Sequence, residues 1–98
     1  MRQVHFDAAA EADLQSARRY YEERRPGLGE EFFAAAWSRC KHIALYPFAG
    51  RIIEGEFRKT PMLGKFLFDI YYYFESEEII IVAVMHRRQH PDSWKRQR

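Results

Sequence analysis

The stretch that decides the fold is residues 65–94, KFLFDIYYYFESEEIIIVAVMHRRQHPDSW. Residues 66–74 carry large apolar side chains at alternate positions, the period of a strand with one buried face. Residues 79–85 are apolar throughout, which is typical of a central strand covered on both faces. The polar residues 75–78 between the two runs predict a turn. The stretch therefore predicts an antiparallel hairpin that ends at His86.

Two helices are predicted upstream of this hairpin. Asp7 is a good N-cap because its carboxylate accepts from free N–H groups of a first helical turn. Residues 8–25 then repeat apolar side chains at helical spacing, and Pro26 ends the helix because proline cannot continue it. A second helix is predicted at about residues 28–46, closed by Pro47. Its apolar stripe is predicted to comprise Phe33, Ala36, Cys40 and Ile43, widened by Phe32, Trp37 and Ala44.

The remaining segments complete an α+β fold in one domain, residues 1–98. Residues 3–6 are predicted as a short first strand. A loop over residues 52–62 leads into a strand near residues 55–60. The order is β-α-α-β-β-β, with an antiparallel helical hairpin packed on one face of a small, mostly antiparallel sheet. Trp94 is predicted to fold back onto the other face.

Composition and charge limit the classes of function. The formal net charge is +2, and residues 1–50 hold seven basic and seven acidic residues. Residues 85–98 hold five basic residues against Asp92, so a local cationic tail can steer an anionic partner. The single cysteine, Cys40, excludes an intramolecular disulfide and suits a reducing compartment. No secretory or membrane-spanning apolar segment is visible, so a cytoplasmic protein without membrane contact is expected.

Metal, cofactor and nucleophile motifs are not found in the sequence. His86 and His90 are four residues apart, but Pro91 argues against a helix that would bring them together, and no HExxH or cysteine pair accompanies them. No glycine-rich phosphate loop is present. Cys40 lies on an apolar stripe and is interpreted as a core residue. We therefore expect no metal site and no cofactor.

Basic residues at the predicted strand ends form the main candidate site. If the strands pair as neighbours, several of these side chains converge on one edge of the sheet. There they contact an anionic partner, or stabilise charge on a phosphate during RNA cleavage. The alternative is that they only extend into solvent. The set is Arg58, Lys59, Lys65, Arg87 and Arg88.

Short motifs in a fixed order run along nearly the whole chain. They are Ala10-x-x-Asp13-Leu14, Tyr20-Tyr21, Pro26-Gly27-Leu28-Gly29 with Phe32-Phe33, Phe57-Arg58-Lys59, Lys65-Phe66, and an ending with Met85-His86, Arg88, Pro91 and Trp94. In this order and spacing the chain resembles the RelE/ParE superfamily of toxins from bacterial type II toxin–antitoxin modules, often labelled plasmid stabilisation proteins. The resemblance implies the fold predicted above. It also implies a small antitoxin whose C-terminal segment wraps the toxin.

The resemblance implies one of two targets. RelE-like members cleave mRNA in the ribosome, with arginines on central strands and a tyrosine or His-Tyr pair near the C-terminus. Here Arg58, Arg87 and Arg88 are the candidate arginines, and His86 is the candidate acid or base. ParE-like members inhibit DNA gyrase by binding.

No tyrosine follows Tyr73, so the ParE-like branch is favoured, and a gyrase inhibitor without chemistry of its own is expected. A ribosome-dependent mRNA interferase and an orphan interaction module remain the alternatives. In either active case, removing Arg58, or Arg87 together with Arg88, is expected to relieve growth inhibition without unfolding the protein.

Overall fold

The computed structural model describes residues 2–95 and places two helices against one face of a five-stranded sheet. Its elements are β1 (Gln3–Phe6), α1 (Ala8–Arg24), α2 (Leu28–Leu45), β2 (Arg51–Glu54), β3 (Phe57–Pro61), β4 (Phe68–Glu75), β5 (Glu78–His86) and a 3₁₀ turn, Ser93–Lys95. The strand order is β1-β5-β4-β3-β2. Only the β1–β5 pair among these strands is parallel. The predicted α+β class and helical hairpin are confirmed.

The segment between α2 and β4 holds one strand more than predicted. β3 lies close to the strand predicted near residues 55–60, but β2 precedes it and pairs with it antiparallel. β2 is an edge strand, and all but one of its side chains are exposed. Because no buried face imposes an apolar alternation on an exposed edge, periodicity does not reveal such a strand.

Both helices begin and end close to the predicted residues, but the buried stripe of α2 is shifted. Asp7 caps α1 as predicted, its Oδ1 accepting the N–H of Ala10 at 2.9 Å. In α2, Phe32 rather than Phe33 is fully buried, and Trp37 is 43% exposed. Phe33 is half-buried and packs against the core as predicted, whereas the expected place of Trp37 was wrong. The reason is that α2 packs on α1 and on the sheet through Phe32, whose ring meets Phe68 with centroids 5.0 Å apart.

The hairpin of β4 and β5 separates two cores, as its sequence pattern predicts. We call the side that carries the helices the helix face, and the opposite side the open face. Side chains of β4 alternate between the helix-face core, which contains Ile70 and Tyr72, and the open-face core, which contains Tyr71. β5 contributes to both cores. Trp94 packs on the open face, which confirms its predicted position.

Asp13 of α1 completes the hydrogen bonding of β5 beyond the end of β1. The β1–β5 register ends at Phe6 and Ile81, and Asp13 Oδ2 accepts the N–H of Val84 at 2.9 Å. A carboxylate from the helix thus takes the place of a strand carbonyl. This contact gives a structural reason for the aspartate in the Ala-x-x-Asp-Leu segment.

Replacing Asp13 with alanine is expected to lower the free energy of unfolding by about 1–3 kcal/mol, since a backbone N–H then loses its acceptor. Urea unfolding followed by circular dichroism measures the change. Glu23→Ala, an exposed carboxylate on the same helix, is the control and is expected to stay within about 0.5 kcal/mol of wild type. Equal midpoints for the two variants would show that the Asp13 contact does not stabilise the fold.

Candidate functional site

The five predicted binding cations lie in separate places rather than along one edge. Arg58 lies on the helix face, while Lys59 and Arg87 meet on the open face. Lys65 pairs with a residue of α2, and Arg88 lies in the turn after β5. Of the other basic residues of the predicted cationic tail, Lys95 pairs with Glu54, and Arg96 and Arg98 lie outside the described residues.

Arg58 holds the loop that joins α2 to β2. Its Nη1 donates to the carbonyl oxygens of Phe48, at 3.1 Å, and Gly50, at 2.8 Å. Its guanidinium also lies 5.3 Å from the ring centroid of Phe48. Removing Arg58 is therefore expected to loosen this loop, which changes the expectation that its loss would leave the fold untouched.

Tyr72 of β4 also holds this loop, through hydrogen bonds of its side chain to the loop backbone. Its buried hydroxyl donates to the carbonyl of Pro47 at 2.7 Å and accepts the N–H of Gly50 at 3.1 Å. Burial raises the pKa of the Tyr72 hydroxyl, so it remains a donor at neutral pH. A Cβ at Gly50 would lie 2.9 Å from two carbons of the Tyr72 ring and closer still to its hydroxyl. We call residues 46–50 the anchored loop.

Lys59, Asp69 and Arg87 form the Asp69 cluster on the open face. Arg87 Nε lies 3.2 Å from Asp69 Oδ1, and its Nη2 donates to the carbonyl of Met62 at 3.1 Å. Lys59 Nζ lies 3.6 Å from Asp69 Oδ2. Because one carboxylate faces two cations, the cluster keeps one net positive charge.

Arg51 adds a further cation beside the Asp69 cluster. It lies opposite Lys59 in the β2–β3 register, and together with Lys59 and Asp69 it lines a cavity of about 380 Å³. The sequence did not single out Arg51, because its place beside Lys59 depends on the unpredicted strand β2.

Lys65, His86 and Arg88 belong neither to the Asp69 cluster nor to the contacts that hold the anchored loop. Lys65 Nζ pairs with Glu31 Oε1 at 2.7 Å, and this hydrogen bond lowers the pKa of the Glu31 carboxyl. His86 Nδ1 accepts the N–H of Arg88 at 3.1 Å, and its ring packs against that of Phe68. The exposed Arg88 side chain makes no ion pair within residues 2–95.

The four residues considered for RNA cleavage do not meet at one point. Arg58 lies opposite Tyr72 and His86 lies opposite Phe68, so four residues of β4, about 13 Å, separate their backbone positions. Arg87 is turned toward the open face by its contact with Asp69.

An exposed apolar surface surrounds the anchored loop. Phe48 is 69% exposed, and its ring packs at a steep angle on that of Phe74, with centroids 4.9 Å apart. A cavity of about 570 Å³ lies beside it, lined by Arg2 and residues 45–49. We call this surface the Phe48 patch. Its members are Arg2, Leu45, Tyr46, Phe48, Arg58 and Phe74.

A second apolar depression follows the helical hairpin. It has a volume of about 260 Å³ and is lined by residues of α1, α2 and β1, including Leu14, Phe33 and Trp37. Arg18 lies at its rim, with its guanidinium 4.6 Å from the ring centroid of Phe33. We call it the hairpin groove.

Cys40 is a core residue, as predicted. It is fully buried, and burial raises the pKa of its thiol to about 12, so the thiolate is not available for chemistry. Within the described part of the chain, no group of three His, Cys, Asp or Glu residues is arranged to hold a metal ion. Over the same residues, no helix combines the length and apolar character that crossing a membrane requires.

Comparisons with known proteins agree with the fold described above. The family described as "ParE toxin of type II toxin-antitoxin system, parDE" matches residues 4–91. A solved structure titled "Chromosomal ParDE TA system from P. aeruginosa" superposes with a TM-score of 0.73 at 20% sequence identity. The match covers 88% of this chain and 96% of that one. At 20% identity, this structural similarity shows that the two chains share a fold. No curated protein matches the chain.

Proposed function

The chain belongs to the ParE toxin family of type II toxin–antitoxin systems, and from this premise we propose that it inhibits DNA gyrase by binding. The match over residues 4–91 carries the proposal, since it includes both helices and, apart from Gln3, all five strands of the described structure. The match also confirms the resemblance inferred from the sequence, for the ParE-like branch of the superfamily.

The positions of the candidate catalytic residues support binding over RNA cleavage. Stabilising a phosphate in a transition state needs donors held around one point. Arg58 is held by two loop carbonyls on the helix face, whereas Arg87 pairs with Asp69 on the open face. His86 accepts a backbone N–H through Nδ1 within its own turn. A shared catalytic centre would require these contacts to be broken.

A cognate antitoxin is the second proposed partner. The solved relative is titled as a ParDE toxin–antitoxin system, which supports a partner of this kind. We place the antitoxin across the open face, where its carboxylates would pair with Lys59 and Arg87, with Arg88 in the turn after β5 as a further contact, and along the hairpin groove. Lys65, which pairs with Glu31 in the first turn of α2, is a further proposed contact.

Purified protein assayed against both targets tests the proposal. We expect inhibition of plasmid supercoiling by gyrase, relief of that inhibition by the co-purified antitoxin, and no cleavage of mRNA on translating ribosomes. Cleavage of mRNA with unaffected gyrase would instead support the mRNA interferase. Absence of both effects would support the interaction module.

A further inference from the structure

The anchored loop is held firmly while its largest side chains face outward. Tyr72 and Arg58 together make four hydrogen bonds to the backbone of Pro47, Phe48 and Gly50. Yet Phe48 is 69% exposed, and Leu45 and Tyr46 beside it are exposed as well. A loop fixed in this way presents an aromatic side chain with little backbone ordering cost on binding.

The charge of the Phe48 patch is not neutralised within the described residues. Arg58 donates to backbone carbonyls, as does Arg2, whose Nε donates to the carbonyl of Ser76 at 2.8 Å. Neither guanidinium has a carboxylate partner in residues 2–95. By contrast, Lys65, Arg87 and Lys95 each pair with an acidic side chain.

We propose that the Phe48 patch is the surface by which the toxin docks on its target protein. The complementary target surface would carry an apolar recess for Phe48, bordered by carboxylates that pair with Arg2 and Arg58. Exposed aromatic and arginine side chains on a rigid support are typical of interface hot spots. This inference rests on the proposed function, in that gyrase is the target assayed.

A protein partner fits the patch better than DNA does. Leu45 and Phe48 offer apolar area, and both guanidiniums lie against the Phe74 ring, with Arg2 5.4 Å and Arg58 5.9 Å from its centroid. Phosphate-binding surfaces instead present cations clustered along a groove. The patch is also separate from the Asp69 cluster, which lies on the other face of the sheet.

Substitution of Phe48 tests the inference in the full-length toxin. Phe48→Ala is expected to weaken inhibition of gyrase supercoiling by at least about tenfold, without loss of affinity for the co-purified antitoxin. Leu63→Ala, an equally exposed apolar residue outside the patch, is the matched control and should inhibit like wild type. Arg2→Glu is expected to weaken inhibition more than Arg2→Gln, because it adds a charge that the target carboxylates repel.

Three results would overturn the inference. The first is full inhibition by both Phe48→Ala and Arg2→Glu. The second is loss of antitoxin affinity in these variants while inhibition stays intact, which would make the patch the antitoxin site. The third is that the wild-type toxin binds plasmid DNA in the absence of gyrase and that Phe48→Ala abolishes this binding.

The assay of the wild-type protein distinguishes failure of the proposed function from failure of this inference. If wild type does not inhibit gyrase, growth arrest on expression becomes the readout. A Phe48→Ala variant that is folded but no longer arrests growth would then support the Phe48 patch as the docking surface, for a different target protein. Phe48→Ala that arrests growth like wild type would overturn it.

Discussion

Replacing Trp94 with alanine is expected to lower the free energy of unfolding by about 3–5 kcal/mol, as for other large buried aromatic residues. Trp94 is only 4% exposed. Its ring stacks on that of Tyr71, with centroids 5.9 Å apart and planes 16° apart, and packs against Phe57 at 4.9 Å. The substitution removes a large aromatic side chain from the open-face core, which also contains Val82, Ala83 and Met85.

A second tryptophan provides the matched control. Trp37 is 43% exposed on α2, so Trp37→Ala is expected to cost about 1 kcal/mol or less. Urea unfolding should be followed by far-ultraviolet circular dichroism, because both variants lose an intrinsic fluorophore. If the two variants unfold at the same urea concentration, Trp94 does not contribute through packing on the open face.

Gly50→Ala is expected to destabilise the protein by about 3 kcal/mol, at the upper end for overpacking a filled site. The new methyl group would lie 2.9 Å from two ring carbons of Tyr72 and would displace the hydroxyl. The displaced hydroxyl would then lose its bonds to Pro47 and to Gly50 itself.

A double-mutant cycle with Tyr72→Phe identifies the cause of this effect. Tyr72→Phe alone should cost about 1–3 kcal/mol, because a buried carbonyl and a buried N–H lose their partner. The double variant should be destabilised by less than the sum, since the hydroxyl nearest the new methyl group is gone. Tyr73→Phe is the control, with little change expected. Strict additivity in the cycle would contradict contact between Gly50 and Tyr72.

Much of the fold could be predicted because burial leaves a period in the sequence. The alternation through residues 66–74 placed Tyr72 and Tyr71 on opposite faces, as the structure has them. The same reasoning could not find β2, whose side chains are mostly exposed. In α2 it placed Phe33 at the centre of the stripe and Phe32 at its margin, whereas Phe32 is the more deeply buried, because two adjacent phenylalanines fit a helical stripe almost equally well.

The candidate site could be predicted less well, because it depends on pairing and on loop conformation. Arg58 and Lys59 are neighbours in a strand and therefore project to opposite faces, so the two cations separate. Arg87 joins Lys59 only through Asp69, on a third segment. The Phe48 patch depends on a loop fixed by Tyr72, more than twenty residues away, and local sequence carries no sign of that contact.

The claim that the toxin acts by binding gyrase is tested most directly by a stoichiometric titration. Gyrase supercoiling activity is measured against increasing toxin, at a gyrase concentration well above the dissociation constant. A binding inhibitor predicts a linear loss of activity that ends at a fixed ratio of toxin to gyrase and is reversed by antitoxin. Complete loss of activity at toxin far below the gyrase concentration, or no loss at any ratio, would contradict the account.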